Sequence, residues 1–380
     1  MTSSMKSVDD TPVRLRTLVT ASGHRFGHAT LNAPDSLHAL TLTMVDALQS
    51  QLDQWAEDPA IAGVLLDGSG EKAFCAGGDV VGLYRAMREA GAGRVPKDAA
   101  DFFEREYRLD HAIHRYPKPL LVWGHGIVMG GGIGLMAGAS HRVVTPRSRL
   151  AMPEITLGLY PDVGGSWFLS RLPGRVGLFL ALTGAPLSAA DALWAGLADR
   201  AARAEDRGVL LEAIARTRWT GERASDAEAL DDLLRALPAA ELAPSALAAH
   251  RARIDALIGP HDGLATIAPR LRSLAGDADP WLAAAGAAFL KGSPTSAALA
   301  LALQRRLRHA SLADVLRLEY QASVGCCVHP DFAEGVRALL IDKDRSPRWQ
   351  PAAIDGTGEA RVDALLAPRF EGAHPLADLR

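Results

Sequence analysis

The chain has 380 residues, a formal net charge of −3 and 48% hydrophobic residues. That is enough apolar material for a sizeable core, and the charge leaves no basic excess to recruit nucleic acid or an anionic membrane. Three cysteines, Cys75, Cys326 and Cys327, cannot make a disulfide framework, so a reducing compartment, the cytoplasm, is expected.

The first ten residues, MTSSMKSVDD, lack an apolar segment and carry Asp9 and Asp10, so neither a secretory signal nor a transit peptide is expected. Residues 1–12 are read as a disordered tail. Val13 to Thr20 and Arg25 to Leu31 read as strands around a Ser22-Gly23 turn. Met44, Leu48, Leu52 and Trp55 recur at helical spacing over Thr41 to Trp55. Ala62 to Leu66 is a buried strand, broken by Asp67-Gly68-Ser69-Gly70. Helices are expected over Asp79 to Ala90 and Ala99 to Arg115, the second stopped by Pro117 and Pro119. Leu120 to Trp123 is another buried strand, Gly130 to Ala139 a glycine-rich helix, and His141 to Thr145 a strand. This alternation argues for a mixed α/β core. Beyond Pro186 strands fade, and residues 200–320 are rich in Ala, Leu and Arg with helical periodicity. The expected partition is a core at 13–225, a helical region at 226–355 packed on it, and a tail at 356–380. No stretch reaches the roughly 18 apolar residues of a membrane span.

Three segments are chemically unusual. In Lys72-Ala73-Phe74-Cys75-Ala76-Gly77-Gly78-Asp79, a buried strand ends in paired glycines before a helix, where a backbone amide can approach a ligand unobstructed. His125-Gly126-Ile127-Val128-Met129-Gly130-Gly131-Gly132-Ile133-Gly134 repeats that arrangement. Amides at a helix start suit an anion or a developing oxyanion, although glycines that merely permit tight packing would read the same way. The third segment runs from Met152 to Gly165 and places Glu154 and Asp162 in apolar, Gly/Pro-rich surroundings. Such carboxylates have their charged forms disfavoured and can serve as base or nucleophile; two helix caps are the alternative. Ser166 lacks a nucleophile elbow. His111 and His114 share a helix face but have no third ligand at metal spacing. Lys343 and Arg345 are either phosphate ligands or a charged helix end.

Taken in order, these blocks resemble the crotonase (enoyl-CoA hydratase/isomerase) superfamily. Leu31-Asn32-Ala33-Pro34-Asp35-Ser36-Leu37-His38-Ala39-Leu40 is similar to its N-terminal signature, with His38 where Asn is usual. Phe102-Phe103, Glu106-Tyr107, Ser293-Pro294-Thr295-Ser296 and the run from Asp331 to Asp344 resemble the 3-hydroxyisobutyryl-CoA hydrolase branch. The resemblance covers roughly residues 13–350. It implies a ClpP/crotonase-like spiral of ββα units with a C-terminal helical region. It implies hydrolysis of a short 3-hydroxyacyl-CoA thioester, in that branch a step of valine catabolism, with CoA as part of the substrate and neither a separate cofactor nor a metal. The Gly78 and Gly131 amides would form the oxyanion hole. Glu154 would be the catalytic carboxylate, as nucleophile or base, with Asp162 beside it. Glu106 would line the acyl pocket, and Ala73, Ala76, Gly77 and Asp79 would contribute to substrate binding. The expected partner is the acyl-CoA alone, with no nucleic acid or membrane; a homo-oligomer is possible within this superfamily.

One position separates branches. Hydratases carry a glutamate three residues after the second oxyanion glycine, where this chain has Gly134. The hydratase pair is thus reduced to Glu154, and Asp162 stands where hydratases have a small residue. A hydratase or isomerase activity, and a non-catalytic acyl-CoA-binding protein, are the competing readings.

Overall fold

Strand and helix alternate in a computed structural model that describes residues 11–380. Packing divides the chain into two interleaved units. Among the described residues, the first takes 11–78, Leu109–Leu150 and Ser188–Pro244; the second takes Asp79–Arg108, Ala151–Leu187 and Ser245–Arg380.

The strands are β1 (Val13–Val19), β2 (Arg25–Leu31), β3 (Ile61–Gly68), β4 (Ala73–Cys75), β5 (Leu120–Gly124), β6 (Ile127–Met129), β7 (His141–Val144), β8 (Arg149–Ala151), β9 (Leu187–Ser188) and β10 (Arg200–Ala201). Six form one sheet in the order β1-β2-β3-β5-β7-β10, and β4-β6-β8-β9 form the other. Only the β1–β2 pair of the first sheet is antiparallel; the remaining pairs are parallel. Parallel strands are covered on both faces, which is why β3 is buried throughout and reads as a continuous apolar run. Its one charge, Asp67, lies 3.1 Å from His28.

In the first unit, Phe26, Leu65, Leu121, Trp123 and Val143 of the sheet pack against Leu210, Ile214, Trp219, Leu230 and Leu234. The Phe26 and Trp219 rings lie 5.0 Å apart. Each such buried side chain contributes on the order of 2 kcal/mol. The helix Arg223–Ala236 therefore belongs to the sheet's core, and the expected boundary at residue 225 falls inside it. Asp226, in the first turn of that helix, accepts from the Thr220 and Gly221 amides of the preceding loop at 2.8 and 2.9 Å.

The second unit is mostly helical. Ser245, Asp279, Ser293 and Ser311 each cap a helix by accepting a backbone N–H. The stretch expected as a tail, 356–380, is instead packed. The helix Glu359–Leu366 buries Val362, Leu365 and Leu366, and Leu376 is fully buried. A Cβ on Gly325 would meet Leu365 O at 2.1 Å, so this helix lies directly on the helix Leu312–Val328. Of the expected N-terminal tail, residues 1–10 lie outside the described residues. Pro12 is part of the fold, its carbonyl accepting from Asn32 N at 2.8 Å.

Candidate active site

The first unit brings the two glycine loops together. β4 and β6 run parallel, with Ala73 opposite Ile127 and Cys75 opposite Val128. A Cβ on Gly132 would lie 2.4 Å from Cys75 O. Gly77 has φ +104°, and a Cβ there would lie 3.2 Å from Met129 O and 3.5 Å from Gly131 N. Glycine is thus required by close backbone approach as well as by conformation. Gly131 opens the helix Gly131–Ala137, so its amide has no intrahelical acceptor. Among the described residues, neither the Gly78 nor the Gly131 amide is used in a backbone hydrogen bond.

The N-terminal signature buttresses this loop. Leu40 N donates to Gly77 O at 2.8 Å and Ala76 N to Leu37 O at 3.0 Å. Leu37 and His38 both have positive φ. His38 Nδ1 accepts from Ala33 N and its Nε2 faces Ser69 O, each at 2.9 Å. Burial lowers its pKa and favours the neutral ring that this pairing needs. His38 is therefore a structural side chain in place of the usual Asn. Cys75 is fully buried, its thiol directed at His38 O. The Asp79 carboxylate accepts from Gly82 N at 3.0 Å as cap of the helix Val80–Ala90, a structural duty beside the binding role expected of it.

The second unit gathers the carboxylates. Glu154 begins a single turn, Glu154–Leu157, closed by left-handed Gly158. The distant branch motifs support this turn. Ser293 N donates to Ile155 O at 2.9 Å. Cβ atoms on Gly158 and Gly335 would each lie 2.3 Å from Asp331 O and Leu157 O respectively. Glu106, Glu154, Asp162 and Glu319 are all at most 5% exposed. Burial, then Asp162, holds Glu154 well above the usual carboxylate range, with Glu106 adding a smaller push. Burial and Asp162 do the same to Glu106. Burial pushes Asp162 up to about 6, against the Tyr107 hydrogen bond. Glu106 Oε1 and Glu154 Oε2 have no hydrogen-bond partner among the described residues. Buried acceptors left open in this way are suited to a substrate's polar groups.

Tyr107 and Tyr160 stood in the quoted motifs without an assigned role, and Glu319 and Ser323 were not singled out from sequence. Tyr107 donates to Asp162 Oδ2 at 2.8 Å and lies 2.7 Å from Ser323 Oγ. Tyr160 lies 2.9 Å from the same Ser323 Oγ and donates to Glu319 O at 2.7 Å. Glu319 accepts from Gly164 N at 2.7 Å and Ser166 N at 2.9 Å. Burial pushes Glu319 up to about 8, opposed by those amides. Between Asp162 and Gly164, Val163 has φ +52°, a strained conformation for a β-branched residue that costs about 1–3 kcal/mol. The available signal was a carboxylate on the buried face of a helix, beside Leu316, Tyr320 and Ser323.

Other candidates fall elsewhere. Arg345 lines a cavity of about 330 Å³ together with Thr156, Lys291 and Leu339. Among the described residues, no group of three His, Cys, Asp or Glu side chains could hold a metal ion, and no helix is long and apolar enough to cross a membrane.

Comparison with known proteins places the chain in a family. The model of the enoyl-CoA hydratase/isomerase family matches residues 26–366, and the chain belongs to that family. Its fold is the α/β crotonase-like fold with a C-terminal helical region. The "3-hydroxyisobutyryl-CoA hydrolase, mitochondrial" of Gallus gallus is 38% identical over 343 residues, covering 90% of this chain and 86% of that protein. The Homo sapiens protein of the same name is 37% identical and covers 86% and 82%. Among solved structures, an enoyl-CoA hydratase from Rhodobacter sphaeroides 2.4.1 is 36% identical with a TM-score of 0.80, covering 94% of this chain and 98% of its own. A carnitinyl-CoA dehydratase from Mycobacterium thermoresistibile is also 36% identical, with a TM-score of 0.81 and coverage of 94% and 97%. The expected cytoplasmic location is overturned, because these hydrolase relatives are named as mitochondrial proteins. Cysteine usage reports a reducing environment and does not separate two compartments that both keep thiols reduced.

Proposed function

We propose that the chain hydrolyses 3-hydroxyisobutyryl-CoA to 3-hydroxyisobutyrate and free CoA. The observation that carries this reading is the buried group of Glu106, Glu154 and Asp162, with Glu106 Oε1 and Glu154 Oε2 left without partners among the described residues. The names of the curated relatives supply the acyl group.

The Gly78 and Gly131 amides are assigned to the thioester oxygen. Fixed donors of this kind hold the charge that develops in a tetrahedral intermediate, and losing one costs about 3 kcal/mol of barrier lowering. Glu154 is assigned to the carbonyl carbon as the reacting carboxylate. Its raised pKa makes the ionised form a stronger base than an exposed glutamate. Glu106 lines the acyl site, where its open oxygen suits the substrate hydroxyl. Asp162 orients water or that hydroxyl beside Glu154. Water ends up divided between the acid and the thiol, so the balanced reaction calls for no redox partner.

Hydration of an enoyl-CoA is the second reading, because the solved neighbours carry hydratase and dehydratase names at similar identity. Gly134 argues against it, since the residue expected to supply the second carboxylate is a glycine. The deciding experiment follows free thiol with 3-hydroxyisobutyryl-CoA, and the C=C absorbance of crotonyl-CoA in parallel. Thiol release with an unchanged crotonyl signal is expected. Loss of the C=C without thiol release would replace the hydrolase by a hydratase. Tight ester binding with neither change would make it a binding protein.

A further inference from the structure

The relation between Glu319 and the loop that carries Asp162 has no part in the chemistry assigned above. Glu319 comes from the helix Leu312–Val328 and is completely buried. Its two oxygens divide between two amides of one loop: Oε2 accepts from Gly164 N and Oε1 from Ser166 N. These amides flank the start of the short helix Gly165–Phe168, where N–H groups lack intrahelical acceptors. Immediately before them stand Val163 at φ +52° and Gly164 at φ +81°, and before those stands Asp162. A β-branched residue keeps a left-handed conformation only where its surroundings impose it. Gly165 N donates to Asp162 O at 2.6 Å and closes a turn around Val163 and Gly164; the two Glu319 contacts hold that turn from outside it, and both fall within four residues of Asp162 in the chain. The main-chain carbonyl of Glu319 also accepts from Tyr160, which shares Ser323 Oγ with Tyr107, the donor to Asp162. One helix thus reaches the Asp162 loop from both its backbone and its side-chain partner.

We propose that Glu319 is a positioning residue that clamps the Gly164 and Ser166 amides, holds Val163 in its left-handed conformation, and thereby fixes the Asp162 carboxylate. The consequence for turnover rests on the hydrolase reading; the clamp does not. A carboxylate is suited to this task because it accepts at both ends. Glutamine presents an oxygen to one amide and an N–H to the other, and aspartate is one methylene short of reaching both.

In Glu319→Gln, kcat for thiol release is expected to fall about 10- to 100-fold while KM stays within about threefold, because a displacement of order 1 Å affects the reacting geometry more than ester binding. Glu319→Asp keeps the carboxyl group and is expected to fall comparably; full activity in folded Glu319→Asp would show that the carboxyl group, not its reach to two amides, is what matters, and would overturn the clamp. Glycine adopts the left-handed turn without strain, so Val163→Gly in the Glu319→Gln background is expected to recover about fivefold or more in kcat. No recovery would mean that Val163 is not what the clamp holds. A folded Glu319→Gln protein with kcat within about twofold of wild type would overturn the proposal. Crystal structures read the clamp independently of activity. Val163 should leave the left-handed region and the Tyr107–Asp162 contact should open in Glu319→Gln or, failing its folding, in Glu319→Asp. An unchanged loop overturns the clamp. Wild-type protein that releases no thiol overturns only the hydrolase reading.

Discussion

Tyr107 donates to Asp162 Oδ2 at 2.8 Å, and both side chains are buried. The contact is the first of four that run from Asp162 through Tyr107, Ser323 and Tyr160 to the Glu319 carbonyl. Three hydroxyls bring three protons to four contacts, so one contact lacks a proton while Asp162 is ionised. A proton on Asp162 completes the chain: Tyr107 turns to donate to Ser323, Ser323 donates to Tyr160, and Tyr160 keeps its bond to the Glu319 carbonyl. The contact left without a proton favours the protonated carboxyl, as burial does, whereas the Tyr107 donor taken alone favours the ionised form and opposes the rise to about 6. Ser323→Ala removes two contacts and one proton, leaving two hydroxyl protons for two contacts with Asp162 ionised. Its Asp162 should titrate at lower pH than in wild type. Carboxyl NMR, with the signal assigned by its loss in Asp162→Asn, checks this; an unchanged or higher midpoint would contradict the proton count.

Glu154→Gln should abolish turnover, by about a thousandfold or more, while CoA-ester binding measured by calorimetry survives. The change keeps size and removes the charge that attacks or activates water. In wild type the reacting form is ionised, and burial with two acidic neighbours raises the Glu154 pKa. Activity should therefore be lost on acidification at a pH above the ordinary carboxylate range. Near-normal turnover in folded Glu154→Gln would remove Glu154 from the reaction. Single-turnover hydrolysis in H2 18O then separates its two modes: a nucleophilic carboxylate can acquire label, whereas one that only activates water does not.

Much of this site was legible because its chemistry is local in the chain. Gly77-Gly78, Gly130 to Gly132, Glu154 and Asp162 each stand in a short block whose composition departs from its surroundings, and Gly77 and Gly132 are explained by backbone approaches of 2.4–3.5 Å. Glu319 and Ser323 were not legible in this way. Their partners lie 155 and 216 residues away, and pairing over such separations is set by helix packing rather than by a motif. The same limit moved the boundary at residue 225. Helical period locates Leu230 and Leu234, but only the sheet shows what they cover. The C-terminal stretch was misjudged for a different reason. Gly, Pro and charged residues surround Val362, Leu365 and Leu366, and a single short apolar stripe carries little signal until another helix is there to receive it.

Asp162→Asn should inactivate the protein and stabilise it. Its folded pKa of about 6 stands above the ordinary value of 3.8, so between those values the folded chain binds more protons than the unfolded chain. Stability consequently falls as pH rises through that window, by about 3 kcal/mol at most, and the deficit persists at neutral pH. Asparagine accepts from Tyr107 without a buried charge. The variant should gain about 1–3 kcal/mol at pH 7 and little near pH 4. Urea melts at both values check this. A variant less stable than wild type at pH 7 would show that the ionised Asp162 is well accommodated.

The glycine loops yield a steric prediction. Gly132→Ala places a Cβ 2.4 Å from Cys75 O and 2.9 Å from Cys75 Cβ, where the helix Gly131–Ala137 lies against the backbone of β4. Gly77→Ala meets Met129 O at the less severe 3.2 Å but requires an alanine at φ +104°. Gly132→Ala should therefore be the more destabilising, by about 2–4 kcal/mol, with both variants losing thiol release beyond what their unfolded fraction explains. Gly23→Ala is the control. Gly23 also has positive φ, +86°, but nothing lies within 4 Å of a Cβ there, so a loss of about 1 kcal/mol or less with normal kcat is expected. Thermal melts and kcat on the folded proteins distinguish the cases. If Gly132→Ala melts and turns over like Gly23→Ala, the close approach of the two loops is not required for catalysis, and the assignment of the Gly131 amide to the thioester oxygen loses its structural basis.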